Sequence, residues 1–158
     1  MNDSADDFWS FSLGFYGRAG VSAACIDLQD RYGHDVNILL FACWVGLSGR
    51  GRLTPGDLAR AEAAVGPWRR AVTEPVRAAR RALKDARDEG AGELYGAAKA
   101  LELAAERVAQ SRLAALAPAR VIVTDRAADA TANLTLYLGT SGAIDAAAPI
   151  FAALGPAA

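Results

Sequence analysis

Seven cationic side chains, Arg69, Arg70, Arg77, Arg80, Arg81, Lys84 and Arg87, crowd the stretch from Trp68 to Arg87 against Glu74 and Asp85. On a helix, Arg70, Arg77, Arg81 and Lys84 follow one another at intervals of seven, four and three residues, which stacks them along one edge. Such an edge suits an acidic partner protein or the anionic end of a small ligand, through charge-assisted hydrogen bonds. Its bland counterpart is a solvated face balanced by Asp88, Glu89 and the acidic first helices. Single-stranded nucleic acid wants aromatic rings interleaved with the cations, and Trp68 is the one ring available, so nucleic acid is not expected as a partner.

A second cluster, Asp27, Asp30, His34 and Asp35, combines the sole histidine with carboxylates, and Asp30 and His34 share one helical face. Asp30 points away from the apolar stripe of its helix and reads as solvated. Asp35 is placed to cap the next helix. Asp27, on the flank of the stripe, has no such account and is the candidate binding residue here. One histidine cannot supply the paired Glu-x-x-His of a di-iron bundle, and neither a metal nor a cofactor is expected. Cys25 and Cys43 have nothing basic within a turn to stabilise a thiolate, so both read as small buried hydrophobes. No Gly-x-Ser-x-Gly turn follows a strand, which removes the usual hydrolase constellation. The glycines from Gly46 to Gly51 follow a helix, the wrong context for a dinucleotide fingerprint or a P-loop. They read as a hinge, with Arg50 and Arg52 able to hold a phosphate.

The elements that must carry these groups are helical. Alanine makes up roughly a quarter of the chain and no stretch shows sustained β-branched alternation. The expected fold is all-α, a single domain over residues 1–158 with about six to seven helices around a buried central helix at about 35–48. Ser4 is placed to cap a first helix from Ala5 to Tyr16, and Gly33 to close a second from Val21 to Tyr32. Ile38 to Leu47 is apolar nearly all round and is the expected interior rod. Ser48–Arg52 is a basic connection and a candidate domain boundary. Thr54-Pro55-Gly56-Asp57 restarts a helix, which Gly66-Pro67 and Pro75 should then kink or break. Glu93 to Leu116 sets Leu94, Ala98, Leu101, Ala105 and Val108 on an apolar stripe, with Glu102, Glu106 and Gln110 on a solvated edge. Val121–Thr124 is a strand-like connector, Asp125 caps a helix to about Leu138, and a last helix runs from Ile144 to Leu154. With 17 Lys and Arg against 18 Asp and Glu, no global field draws a polyanion or a lipid surface. The longest apolar run is too short to cross a bilayer, and the acidic N-terminus lacks the features of an export signal.

Several short motifs carry a resemblance. They are F-W-x-F-S-L at Phe8–Leu13, G-V-x-x-A-C at Gly20–Cys25, L-Q-D at Leu28–Asp30, and G-x-D-V-N-x-L-L at Gly33–Leu40 followed by Cys43-Trp44. Later come Trp68, Pro75-x-Arg77, Arg80-Arg81 with Lys84, and Glu102-Leu103-x-Ala105-Glu106. Over about residues 8–116 the chain resembles an uncharacterised family of proteobacterial hypothetical proteins of similar length. The resemblance implies a bacterial cytoplasmic protein and no activity.

Two functions compete on these residues. One is a non-catalytic cytoplasmic adaptor that binds another protein, or a second copy of itself, through Arg77, Arg80, Arg81 and Lys84. The other is a small enzyme or a domain for an anionic small ligand, with its site near Asp27 and the Asp35 turn. The Ala-rich helix from Glu93 adds self-association as a structural role.

Overall fold

The computed structural model describes residues 3–121 and 125–155, so Ile122, Val123 and Thr124 of the strand-like run lie outside the described residues. In chain order the helices are α1 (Asp3–Tyr16), α2 (Val21–Tyr32), α3 (Val36–Leu47), α4 (Pro55–Trp68), α5 (Glu74–Asp85), α6 (Ala91–Ala114), α7 (Arg126–Leu138), α8 (Ser141–Ala146) and α9 (Ala148–Leu154). A π turn, Arg69–Thr73, joins α4 to α5, and no strand occurs among the described residues. The all-α expectation holds.

The rod is α3. Gly33 closes α2 at φ 70, and Asp35 then caps α3 by accepting from the amides of Asn37 and Ile38. Every residue from Asn37 to Gly46 is buried. Around it, α1 sets Phe8 in a stack on Trp44 at 4.9 Å between ring centroids, and α2 contributes Val21, Ala24, Cys25 and Leu28 to the core. The closest approach is by α7, where a Cβ on Gly46 would overlap the backbone of Ala130. The short α8 and α9 close the far side of α2.

Four local expectations are corrected. Ser4 lies inside α1, not at its cap, and accepts from Arg50 at 3.3 Å. Ser48–Arg52, expected as a hinge, is tied down: Arg50 lies over the Trp44 ring at 4.8 Å and donates to Pro118 O, and Gly49 O accepts from the Val121 amide. The prolines do not break the helix. α4 runs through Pro67, and the widened turn lets the Glu74 amide reach Arg69 O, five residues back, leaving Pro75 in a first turn where no amide is needed. The last helix divides at Ala147 into α8 and α9.

A fifth correction bears on function. Of the stripe expected to anchor α6, Leu94 (58% exposed), Leu101 (54%) and Val108 face outward. Ala105 of that stripe is buried as expected, and the rest of the buried face is Ala91, Ala109, Gln110, Leu113 and Ala114. The neighbour of this half of α6 is α5, which buries no residue and presents arginines. The carboxylates of α6 turn inward to meet them, and the leucines rotate out.

Candidate functional site

The α5–α6 contact is made through charge. Arg77 donates from Nε to Glu102 Oε1 at 2.9 Å and from its terminal nitrogen to Glu106 Oε1 at 2.7 Å. Arg80 Nε donates to the other oxygen of Glu102. The Arg77 side chain is only 17% exposed and that of Glu102 15%, so the expected solvated acidic edge does not survive, and of the expected outward strip Arg77 turns inward while Arg70, Arg81 and Lys84 stay exposed. Arg81 crosses to α2 and pairs with Asp30 at 3.2 Å on the surface, and Asp30 stays exposed as expected.

The polar contacts continue inward. Glu106 Oε2 accepts from Asn37 Nδ2 of α3, and Asn37 Oδ1 accepts from Gln110 Nε2 at 3.1 Å. There the chain stops: among the described residues Gln110 Oε1 has no partner, and neither does Ser12 Oγ of α1, although each residue is only 4% exposed.

Both residues line a cleft of about 290 Å³ between α1, α2, α3, α5 and α6. Trp9, Leu13, Tyr16, Ile26, Leu40 and Leu103 give it apolar walls. Ser12, Asn37, Glu106 and Gln110 form the polar end, and Arg77, Arg80, Arg81 and Glu102 complete the lining. Apolar walls with a few convergent polar groups are the usual makeup of a small-molecule site, and this volume lies at the small end of their range. Burial raises the Glu106 carboxyl above its ordinary range, against the Asn37 hydrogen bond and the Arg77 charge, which lower it. Burial also pushes Glu102 upward, but the hydrogen bonds from Arg80 and Arg77 outweigh it and hold that carboxyl low. Burial raises the Tyr16 phenol.

A smaller pocket of about 80 Å³ adjoins the cleft, sharing Asn37, Arg77 and Glu106 and adding His34, Asp35 and Arg69. Asp35 is committed to structure. Besides capping α3 it pairs with Arg69 at 2.7 Å, and its backbone exchanges hydrogen bonds with the Tyr137 hydroxyl. Asp27 pairs with Arg31 one turn on and does not line the cleft, nor does Lys84. His34 packs against the Tyr137 ring, and burial lowers its pKa. Cys25 and Cys43 are free and buried, and burial pushes the Cys25 thiol up to about 12 and that of Cys43 up as well, which keeps both in the thiol form. Among the described residues no group of three or more His, Cys, Asp and Glu is arranged to hold a metal ion, and no helix is long and apolar enough to cross a membrane.

Of the sequence candidates, the structure thus gathers Arg77, Arg80 and Arg81 at the cleft, sets Asp35 beside it, and leaves out Asp27 and Lys84. Sequence reasoning missed Ser12, Asn37, Glu102, Glu106 and Gln110. Two signals pointed to them. Asn37 is the polar residue in an otherwise apolar rod and needs a partner. Glu102, Glu106 and Gln110 recur every four residues, the same interval as Arg77 and Arg81 on the facing helix.

The motifs quoted for the resemblance meet at this place: Ser12 and Leu13, Val36 and Asn37, Arg77, Arg80 and Arg81, and Glu102, Leu103 and Glu106 all line the cleft. No curated protein and no solved structure matches the chain significantly. A family model described as "Protein of unknown function (DUF2390)" matches residues 7–113, a span that takes in every residue of the cleft. The chain therefore belongs to the DUF2390 family of proteins of unknown function.

Proposed function

We propose that the protein binds a compact, largely apolar small molecule in the cleft between α1, α2, α3, α5 and α6. The observation that carries this reading is the pair of unpartnered oxygens on residues that line the cleft, Gln110 Oε1 and Ser12 Oγ. A buried polar atom without a partner costs about 1–3 kcal/mol, and other buried amides of this protein, such as Asn133, are fully bonded. Neither oxygen has surface open to water, so solvent does not supply the missing partner in this form. A ligand group does, once a small shift of the Gln110 side chain opens its oxygen to the cleft with Nε2 kept on Asn37 Oδ1.

The adaptor reading draws less support from the same geometry, because Arg77 and Arg80 spend their donors inside the bundle. The anionic-ligand reading keeps its arginines but loses Asp27. Two buried, unpaired cysteines favour a reducing compartment, and we place the protein in the cytoplasm on that ground.

The test is a titration of ¹⁵N-labelled protein with indole, followed by amide shifts. Shifts are expected to concentrate on Ser12, Asn37, Leu40 and Gln110, and to vanish in Leu103→Trp, which fills the mouth from a half-exposed position the core does not need. Shifts scattered over the surface, or indole binding unchanged in Leu103→Trp, would overturn the reading.

A further inference from the structure

The hydrogen-bond chain behind the cleft has a direction. Arg77 carries donors only, so the Glu106 oxygen facing it accepts. The second oxygen of the ionised carboxylate also accepts, which turns the Asn37 amide nitrogen toward it. Asn37 Oδ1 then faces Gln110, Gln110 Nε2 donates to it, and Gln110 Oε1 is the free end. Oxygen and nitrogen of an amide are assigned by such networks, and here no single amide reverses without opposing two donors or two acceptors. The free end of this chain is therefore an acceptor, beside the Ser12 hydroxyl, which can donate as well as accept.

Charge around the cleft is balanced. Arg77, Arg80 and Arg81 are each paired, and their partners are Glu102, Glu106 and Asp30. A charged head group finds no unmatched charge to meet, and an anion would face the two carboxylates of the lining and the free Gln110 oxygen.

Building on the ligand-binding reading above, we propose that the cleft selects neutral molecules whose polar head is a hydrogen-bond donor, a hydroxyl or an N–H, and that the Arg77–Glu106–Asn37–Gln110 chain sets this selectivity. The chain is also reversible. In Glu106→Gln, Arg77 still demands the side-chain oxygen, so the new amide nitrogen faces Asn37. Asn37 turns over to accept from it and donates to Gln110 Oε1, and Gln110 presents its nitrogen instead. The preference of the cleft then inverts from donors to acceptors.

Four probes of similar size separate the outcomes in NMR titrations of the whole chain: indole (N–H donor), indene (no polar group), 1-indanone (acceptor only) and benzoate (anion). Wild-type protein is expected to bind indole about five-fold or more tightly than the other three, the worth of one hydrogen bond. Glu106→Gln is expected to bind 1-indanone more tightly than indole. Gln110→Met, which removes the free oxygen, leaves the ion pairs alone and passes the acceptor role to the deeper Asn37 Oδ1, is expected to narrow the preference for indole over indene. The proposal is overturned if wild-type protein prefers benzoate, if it binds indole and indene alike, if Glu106→Gln keeps the wild-type order, or if Gln110→Met keeps the full wild-type margin of indole over indene. If none of the four probes, indene included, moves the cleft resonances, the ligand-binding reading itself fails and takes this selectivity with it. A preference for benzoate or indene within the cleft refutes the selectivity alone.

Discussion

Asn133 and Gln110 are both amides sealed inside the bundle, on opposite sides of α3, and they are treated differently. Asn133 uses its whole amide: the oxygen accepts from the Leu53 amide at 2.7 Å, and the nitrogen donates to Ala42 O at 3.2 Å and Gly51 O at 3.1 Å. It ties the loop after α3 to both α3 and α7, in a region where Gly46 lets the two helices touch. Gln110 makes one bond and leaves its oxygen without a partner beside a cleft. A polar group that is fully bonded among tightly packed helices is part of what holds the fold. One that is buried and half used, where helices stand apart, costs the fold stability, and the proposed ligand accounts for that cost.

The tight side should fail first when perturbed. Gly46→Ala drives a methyl into the Ala130 backbone, and neither rigid helix yields cheaply. A loss of about 3 kcal/mol or more is expected in denaturant unfolding, and a loss under about 1 kcal/mol would show the α3–α7 contact to be looser than described.

The open side should respond to pH with a definite sign. Because the folded protein holds the Glu106 proton more tightly than the unfolded chain does, its contribution to stability is complete below the ordinary glutamate value of 4.5. It is lost as pH rises through the raised value of the folded state. Wild-type protein should therefore lose stability relative to Glu106→Gln as pH rises above the ordinary glutamate value. A difference that is flat, or that grows in favour of wild type toward neutrality, would mean that Arg77 dominates over burial at this carboxylate.

The smallest effect should have the opposite sign to most substitutions. Ser12→Ala removes a buried hydroxyl that has no partner, so the free protein should be unchanged or gain up to about 1 kcal/mol. A loss beyond about 1 kcal/mol would show that the hydroxyl is bonded in solution.

The same contrast explains what could be read from the sequence. The tight side is written in local chemistry: Gly33 ends α2, Asp35 caps α3, the Thr54–Asp57 capping box starts α4, and the unbroken apolar run of α3 leaves it nowhere to go but the centre. The open side depends on which face of α6 meets which face of α5. An amphipathic pattern of leucines and glutamates would normally bury its leucines, and here the arginine face of α5 reverses that choice. Arg77, Arg80 and Arg81 were therefore recognisable as important while their direction was not. Asp27 needed no site at all, since Arg31 lies one turn away on the same face.

The division between a structural amide and a functional one is tested most directly by unfolding Asn133→Leu and Gln110→Leu side by side. Asn133→Leu strands three buried backbone groups and should cost about 3 kcal/mol or more. Gln110→Leu removes one unpartnered oxygen and frees another, on Asn37, so it should cost less than about 1 kcal/mol. Equal losses in the two variants would contradict the account, because Gln110 would then be holding the fold and not waiting for a ligand.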